Sequence, residues 1–364
     1  MELIYQNKKS LASIEQKIAK HVKCSVPVST DNKCGIYIYN DNFEGMVRLL
    51  ANYQNKIDLI YIDPPFNTNG TFFYNKERTA TISHSKQDVV AYKDNLTLDA
   101  YLEFIRERLV LMHKLLSPQG TLYFHIDTKV GHYIKILLDE IFGQKNFVND
   151  ITREKSNPKN FNRKAFGNKK DVIYIYAKNF GKNIFNNITR PLTEEQSKTM
   201  FKKQDKNGRF YTTVPCHAPG ETKNGSTNTQ WKGLRPPQGR HWRVLPTELD
   251  KLDEQGLIEW SKTGNPRIIK YSDEHKGQKI QDIWTGFKDP QYPIYPTEKN
   301  MDMLDMIVKQ SSNKNSIIMD CFCGSGSFLK AGLNNGRFVI GIDKSPASKD
   351  CVSSNIILNS LDFI

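Results

Sequence analysis

Asp63-Pro64-Pro65-Phe66 is the stretch of this chain whose residue types could do chemistry. Two consecutive prolines have fixed φ and no N–H to give a sheet, so the backbone leaves the preceding segment stiffly. An acid stands before them and an aromatic ring after them. Such a set suits holding a flat ring that carries amino hydrogens, with the carboxylate as acceptor and the aromatic ring as stacking partner. The plain alternative is a strand followed by a proline-rich turn, and a cofactor site elsewhere in the chain would decide between the two. The element that positions these residues is Ile57-Asp58-Leu59-Ile60-Tyr61-Ile62. Its β-branched and aromatic residues read as a buried strand that the prolines stop.

A cofactor site is offered 257 residues later, counting from Asp63 to Asp320. Ile317-Ile318-Met319-Asp320 reads as a short strand. It runs into Cys321-Phe322-Cys323-Gly324-Ser325-Gly326-Ser327, and Phe328 to Leu333 reads as a helix. Gly324 and Gly326 give a strand-to-helix turn that a ligand can approach closely. A second strand, Arg337 to Asp343, ends in an acid 17 residues beyond Gly326. An acid near this offset in a nucleotide-binding βαβ unit takes a ribose hydroxyl pair. The third glycine of the dinucleotide fingerprint is absent, since Leu329 stands there. A mononucleoside-type ligand therefore fits better than a nicotinamide cofactor, and an oxidoreductase would leave Asp-Pro-Pro-Phe unexplained.

The pairing of Asp63-Pro64-Pro65-Phe66 with the later Phe322-Cys323-Gly324-Ser325-Gly326 resembles the S-adenosylmethionine-dependent amino-methyltransferases of DNA. The order, catalytic motif first and cofactor motif last, resembles the beta group of N6-adenine methyltransferases. That group includes modification subunits of type III restriction systems and stand-alone enzymes. Gly120 to Asp127, the following Leu137-Leu138-Asp139-Glu140-Ile141-Phe142-Gly143, and Tyr295-Pro296-Thr297-Glu298-Lys299 are similar to further stretches of the group. The likeness covers nearly the whole chain. It departs at Asn300 and at Cys321, where the family has Pro, and at Ser327, where the family has Thr.

The resemblance implies S-adenosyl-L-methionine as cofactor and duplex DNA as substrate. It implies that Asp63 and the Pro64 carbonyl accept hydrogen bonds from the adenine amino group, with Pro65 stiffening the loop and Phe66 stacking on a flipped base. Phe322 is expected against the cofactor, beside the Gly324–Gly326 turn. Asp343 is expected on the ribose, Asp320 on the loop or the methionine amino group, and Thr297 and Lys299 at the methionine end. N4-cytosine methylation uses nearly the same site, commonly with Ser where this chain has Asp63, so it stays open beside N6-adenine methylation. A DNA-binding modification subunit without activity is the alternative from another class. A homodimer and a separate restriction subunit are admitted as further partners.

Composition agrees. The chain has 364 residues, 38% of them hydrophobic, enough for a large core. No apolar stretch of about 18 residues is present, so no membrane span is expected. The first residues lack the layout of a secretion signal, and a cytoplasmic location is expected. The six cysteines are irregularly spaced and suit neither a disulfide framework nor a zinc set, so no metal is expected. The net charge of +13 is localised: residues 153–279 hold 26 Lys and Arg against 13 Asp and Glu. The remainder nets zero, which points the excess at a polyanion such as DNA.

Alternating strand and helix patterns predict a doubly wound, mostly parallel α/β sheet with an inserted basic target-recognition region. Residues 1–30 read as a helical or poorly ordered lead-in, with helix-like spacing from Leu11 to Val22, and 31–180 as the catalytic half. Residues 181–285 read as the recognition region and 286–364 as the cofactor half. Residues 70–95 read as a polar loop near the site, and Ser117 to Gly120 as a helix stop. In the recognition region Lys232, Arg235, Arg240 and Arg243 interleave with Trp231 and Trp242. Either the arginines and the lysine grip DNA or the tryptophans form a small core beneath solvated charges. His125 and His132 read as packing residues.

Overall fold

The computed structural model describes residues 2–24, 34–65, 70–74, 89–94, 96–155, 164, 166–220, 222, 225–290, 298–356 and 361–364, with backbone alone at 70–74, 89–94 and Asn355. The chain divides into two compact units, Met1–Ile188 with Gln281–Ile364, and Thr189–Ile280.

The larger unit is built on a nine-stranded sheet. Its strands in chain order are β1 (Gly35–Tyr39), β2 (Ile57–Ile62), β3 (Leu116–Asp127), β4 (Phe147–Glu154), β5 (Lys170–Ala177), β6 (Ile283–Trp284), β7 (Ile317–Asp320), β8 (Phe338–Asp343) and β9 (Leu361–Phe363). Across the sheet they lie in the order β6-β4-β5-β3-β2-β7-β8-β1-β9. Only β5 runs against its neighbours; the other pairings are parallel. This is the mostly parallel sheet that the alternating pattern predicts.

The helices are α1 (Leu11–Cys24), α2 (Asn42–Tyr53), α3 (Leu98–Leu115), α4 (Thr128–Phe142), α5 (Met301–Ser311), α6 (Ser327–Asn334) and α7 (Pro346–Asn355). Apolar residues recur at helical spacing and face the core. In α2 these are Phe43, Met46, Val47 and Leu50, and in α3 Tyr101, Ile105, Leu109 and Met112. Asp41 caps α2 through the Phe43 N–H at 2.9 Å, and Thr97 caps α3. In β2, Leu59, Ile60 and Ile62 are fully buried. Each such side chain contributes roughly 1.5–3 kcal/mol.

Neighbours in the sheet are far apart in sequence. Leu59 and Ile60 of β2 pair with Ile318 and Met319 of β7. From β2 the chain moves outward through β3 on one side, and β7 opens the other side with β8, β1 and β9. The reversal between β2 and β7 is a topological switch point, and ligands of open α/β sheets sit there beyond the carboxyl ends of the strands. Asp63 and Asp320 stand at that end.

Residues 11–24 form the helix that the Leu11 to Val22 spacing predicts, and it buries Ile14 and Ile18 in the main core, with Lys17 on Glu107 at 2.7 Å. Gly70–Tyr74 and Val89–Asp94 form an antiparallel pair where a polar loop was expected, because β-branched and aromatic residues fill both. α3 ends at Leu115, where the Ser117 to Gly120 stop predicts, and residues 117–120 already belong to β3. Gly120 permits this, since a Cβ there would meet the Ile57 carbonyl at 2.8 Å.

The smaller unit pairs Phe210–Pro215, Ile258–Trp260 and Pro266–Tyr271 in an antiparallel sheet. Its core gathers Cys216, Trp231, Trp242, Leu249, Ile258 and Ile268. Trp231 bonds Asp250 at 2.7 Å and Trp242 bonds the Thr229 carbonyl at 2.8 Å. Both indoles are therefore core members that satisfy their N–H groups, as buried Trp requires. No helix of the described residues is long and apolar enough to cross a membrane.

Candidate active site

Asp63 follows β2 directly, and Pro64 and Pro65 carry the chain away from the sheet. Its side chain is 14% exposed. Oδ2 faces the ammonium of Lys299 at 2.5 Å, and that lysine is buried. Oδ1 is withdrawn from water and has no hydrogen-bond partner among the described residues. His125 Nδ1 lies 3.8 Å from it, too far for a hydrogen bond. A buried carboxylate oxygen without a donor costs free energy, and a ligand donor would relieve that cost.

His125 is fully buried on β3. Its Nδ1 lies 2.9 Å from the Tyr61 hydroxyl and its Nε2 lies 3.3 Å from Asp171 Oδ2 on β5. Asp171 also receives Lys155 at 2.7 Å and Arg153 at 3.4 Å. Burial alone would raise the Asp171 carboxyl, but His125 and Lys155 outweigh it and hold it well below the carboxylate range. Burial pushes the His125 imidazole down, toward its neutral form. The Tyr61 hydroxyl, buried and near Asp63, is pushed well up and stays protonated. Arg153, fully buried, also donates to the Phe287 carbonyl at 2.8 Å and pairs with Asp289.

The glycine loop joins β7 to α6. Gly324 and Gly326 have φ of +52° and +77°, the left-handed region that favours glycine. At Gly326 a Cβ would also meet Val352 at 2.9 Å. Asp343, at the end of β8, accepts the Gly324 N–H at 2.9 Å on one oxygen and the Ser345 N–H at 2.8 Å on the other. Asp320 accepts the Phe322 N–H at 2.9 Å. Burial pushes both carboxyls up, Asp320 furthest. Phe322 is half-buried, while Cys321 and Cys323 on either side of it are buried in the packing. The loop is tied down from behind: the Asn42 amide donates to the Cys321 carbonyl at 3.0 Å, and Arg108 donates to the Asn42 side chain. Arg108 lies 3.5 Å from the centre of the Phe104 ring, which packs against Phe322 in a T-shaped pair with centroids 6.2 Å apart.

A family profile described as a DNA methylase, of the N6/N4 type, matches residues 57–353. The chain belongs to this family. The Type II methyltransferase M.EcaI of Enterobacter cloacae is 42% identical over 317 residues, which are 85% of this chain and 66% of that protein. The Type III restriction-modification enzyme StyLTI Mod subunit of Salmonella typhimurium is 24% identical over 345 residues, 86% of this chain and 52% of that protein. The chain thus spans between half and two thirds of the length of these relatives. Among solved structures, a DNA modification methylase of Thermus thermophilus complexed with S-adenosyl-L-methionine has a TM-score of 0.46 at 13% identity. It covers 91% of this chain and 98% of its own.

Within this methylase-family unit, Asp63, Pro64, Pro65, Asp320, Phe322, Gly324, Gly326 and Asp343 lie at the carboxyl ends of β2, β7 and β8. Phe66 and Thr297 lie outside the described residues. Lys299, expected at the methionine end, pairs with Asp63. Its neighbour Glu298 accepts from Ser327 of the glycine loop at 3.3 Å. In the smaller unit, Lys232 pairs with Asp253, and Arg243 donates to the Pro215 carbonyl at 2.9 Å. Arg240 lies 3.2 Å from His217, and Arg235 is exposed.

Sequence reasoning passed over Tyr61, His125, Asp171, Arg153 and Lys155 as a group. A signal existed, because a histidine inside the apolar run Leu122-Tyr123-Phe124-His125-Ile126 must find polar partners once buried. The charge count also needs redistribution. Residues 189–280 hold 17 Lys and Arg against 11 Asp and Glu, whereas residues 153–188 hold 9 against 2. The flank of the larger unit therefore carries as much excess charge as the smaller unit, and two of its cations, Arg153 and Lys155, are committed to Asp171.

Proposed function

We propose that the chain transfers a methyl group from S-adenosyl-L-methionine to the N6 amino group of an adenine flipped out of duplex DNA. The observation that carries this reading is the unpaired, buried Oδ1 of Asp63 at the switch point, beside a glycine loop on the adjoining strand.

The residues present fit the donor. Asp343 holds the loop through the Gly324 N–H and also accepts the Ser345 N–H, and its carboxylate keeps acceptor capacity for a ribose hydroxyl. Asp320, a buried carboxyl pushed up by burial, gains from a cation at its side, and the ammonium of the methionine portion supplies one. Phe322 offers a ring face held by Phe104 and Arg108. When bound, S-adenosylmethionine supplies an electrophilic methyl on sulfonium sulfur.

The adenine amino nitrogen is a poor nucleophile, because its lone pair is delocalised into the ring. Asp63 Oδ1 accepts one amino hydrogen and the Pro64 carbonyl a second. Both acceptors favour the tetrahedral nitrogen and the positive charge that develops on it. The stiff diproline fixes the direction of both acceptors, which supplies the orientation part of the rate. Phe66 stacks on the base. Lys155 and Arg153 are taken by Asp171, so the grip on phosphates falls to other basic residues of 164–279, Arg235 among them. A restriction subunit as partner is part of the same proposal, in keeping with the Mod subunits among the relatives.

Nucleoside mass spectrometry of plasmid DNA from expressing cells tests the reading. N6-methyladenine is expected. N4-methylcytosine in its place overturns the base assignment, and unmodified DNA with intact DNA binding supports the inactive subunit.

A further inference from the structure

We infer that His125 is a positioning residue for the transfer: it backs the Asp63 carboxylate with a nitrogen that has no proton to give, so that Oδ1 stays open for the substrate amine. The inference rests on the methyl-transfer reading above and adds a residue to it.

The geometry fixes the tautomer. Asp171 can only accept, since it is ionised between His125, Lys155 and Arg153. His125 Nε2 at 3.3 Å therefore carries the ring proton and donates it to Asp171. The imidazole is buried and neutral, so Nδ1 presents a lone pair. The Tyr61 hydroxyl, 2.9 Å away, donates to that lone pair. Tyr61 is itself fixed, because its ring stacks on Phe328 of α6 with centroids 5.2 Å apart. The chain Lys155–Asp171–His125–Tyr61 thus runs from the residue after β4 through β5 and β3 to β2, and its His125 Nδ1 lies 3.8 Å from Asp63 Oδ1 with no donor offered.

A donor at that place would occupy one of the two lone-pair directions of Oδ1 and draw its charge away from the substrate. The substrate amine would then compete with an internal hydrogen bond for the same oxygen. On the other oxygen Lys299 anchors the group without touching Oδ1. One carboxylate is therefore held by a cation on one side and left unpaired on the other. This is the arrangement that preorganised acceptance of an amine hydrogen requires.

The experiment compares His125→Leu, His125→Gln and Tyr61→Phe in single-turnover methyl transfer, with KM for cofactor and DNA measured alongside. His125→Leu is expected to slow transfer at least tenfold with both KM values within about twofold of the parent. His125→Gln keeps a nitrogen for Asp171 and should recover part of that rate. Tyr61→Phe removes one hydroxyl and keeps the ring, so it carries the test if the leucine variant does not fold; a loss of threefold or more at unchanged KM is expected. Parental rates in the folded variants, or rate losses matched by equal losses of cofactor affinity, overturn the inference while leaving the methyl-transfer reading intact. A parent chain that methylates no DNA removes the reading itself.

Discussion

Lys299→Met removes the cation that faces Asp63. The two side chains are 8% and 14% exposed, so water and salt screen the pair little. Breaking one half of such a pair costs about 3–5 kcal/mol, because the remaining charge stays buried. Asp63 keeps some contact with water, which places the loss at the lower figure. At roughly 2 °C per kcal/mol, the low end for large domains, the Tm of the larger unit should fall by about 6 °C. Asp63→Asn should cost a similar amount, since it leaves the ammonium of Lys299 facing an amide. The double variant removes both charges, and its loss should fall short of the sum of the singles by about 2 kcal/mol. Activity should follow a different pattern. Loss of a preorganised group at a developing charge costs roughly 100–1000-fold in rate, and the double variant should recover stability without recovering transfer. Thermal melts without cofactor, together with single-turnover methylation, read both quantities. Strictly additive melting losses would refute the argument, because they would mean that Lys299 and Asp63 do not interact in solution.

Two further outcomes follow from the site and the smaller unit. Burial raises the Asp320 carboxyl above its ordinary range, while the Phe322 N–H partly offsets this. Pairing with an ammonium restores the charged form, so binding of S-adenosylhomocysteine should release a proton, and affinity should rise with pH until Asp320 is ionised in the free protein. Calorimetry in buffers of different protonation enthalpy counts that proton, Asp320→Asn should abolish it, and proton uptake by the parent would contradict the assignment. Trp242→Ala removes a 1% exposed indole from the small core and should cost that unit about 3–5 kcal/mol. DNA retention on a filter should drop while cofactor binding persists, and unchanged retention would show that the smaller unit does not hold the DNA.

What the sequence made legible is what depends on local pattern. β2 and β7 stand out because they are buried on both faces and read as unbroken apolar runs, and the glycines of the loop stand out because their φ values demand them. β4 was not legible. Its half-buried pattern includes Asn149 and Asp150, and one of its two buried residues is an arginine, whose burial makes sense only beside Asp171 and Asp289. The pairing of Asp63 with Lys299 was hidden for a related reason. Each residue was singled out, but 236 positions separate them and only the neighbouring of β2 and β7 explains their contact. The lysine's family motif points to the methionine end, and packing brings its ammonium to the Asp63 carboxylate. Tyr61 and His125 were read as strand fillers because strand patterns reveal which face is buried and not which polar atoms meet there.

The order of strands across the sheet also sets the order in which the chain can fold. β1 pairs with β8 and β9 alone, and one edge of β2 waits for β7. During synthesis β2 and β3 can pair early, as can β5 with β3 and β4. β1 has no partner until residues beyond 338 have emerged, some 300 residues after its own. Its apolar face, and the open edge of β2, must be sheltered for that whole interval, at roughly 5–20 residues per second. Closure of the centre by β7 is thus a late, long-range step of the slow kind. It is also the step that brings the glycine loop to Asp63, so the site cannot form before the sheet is complete.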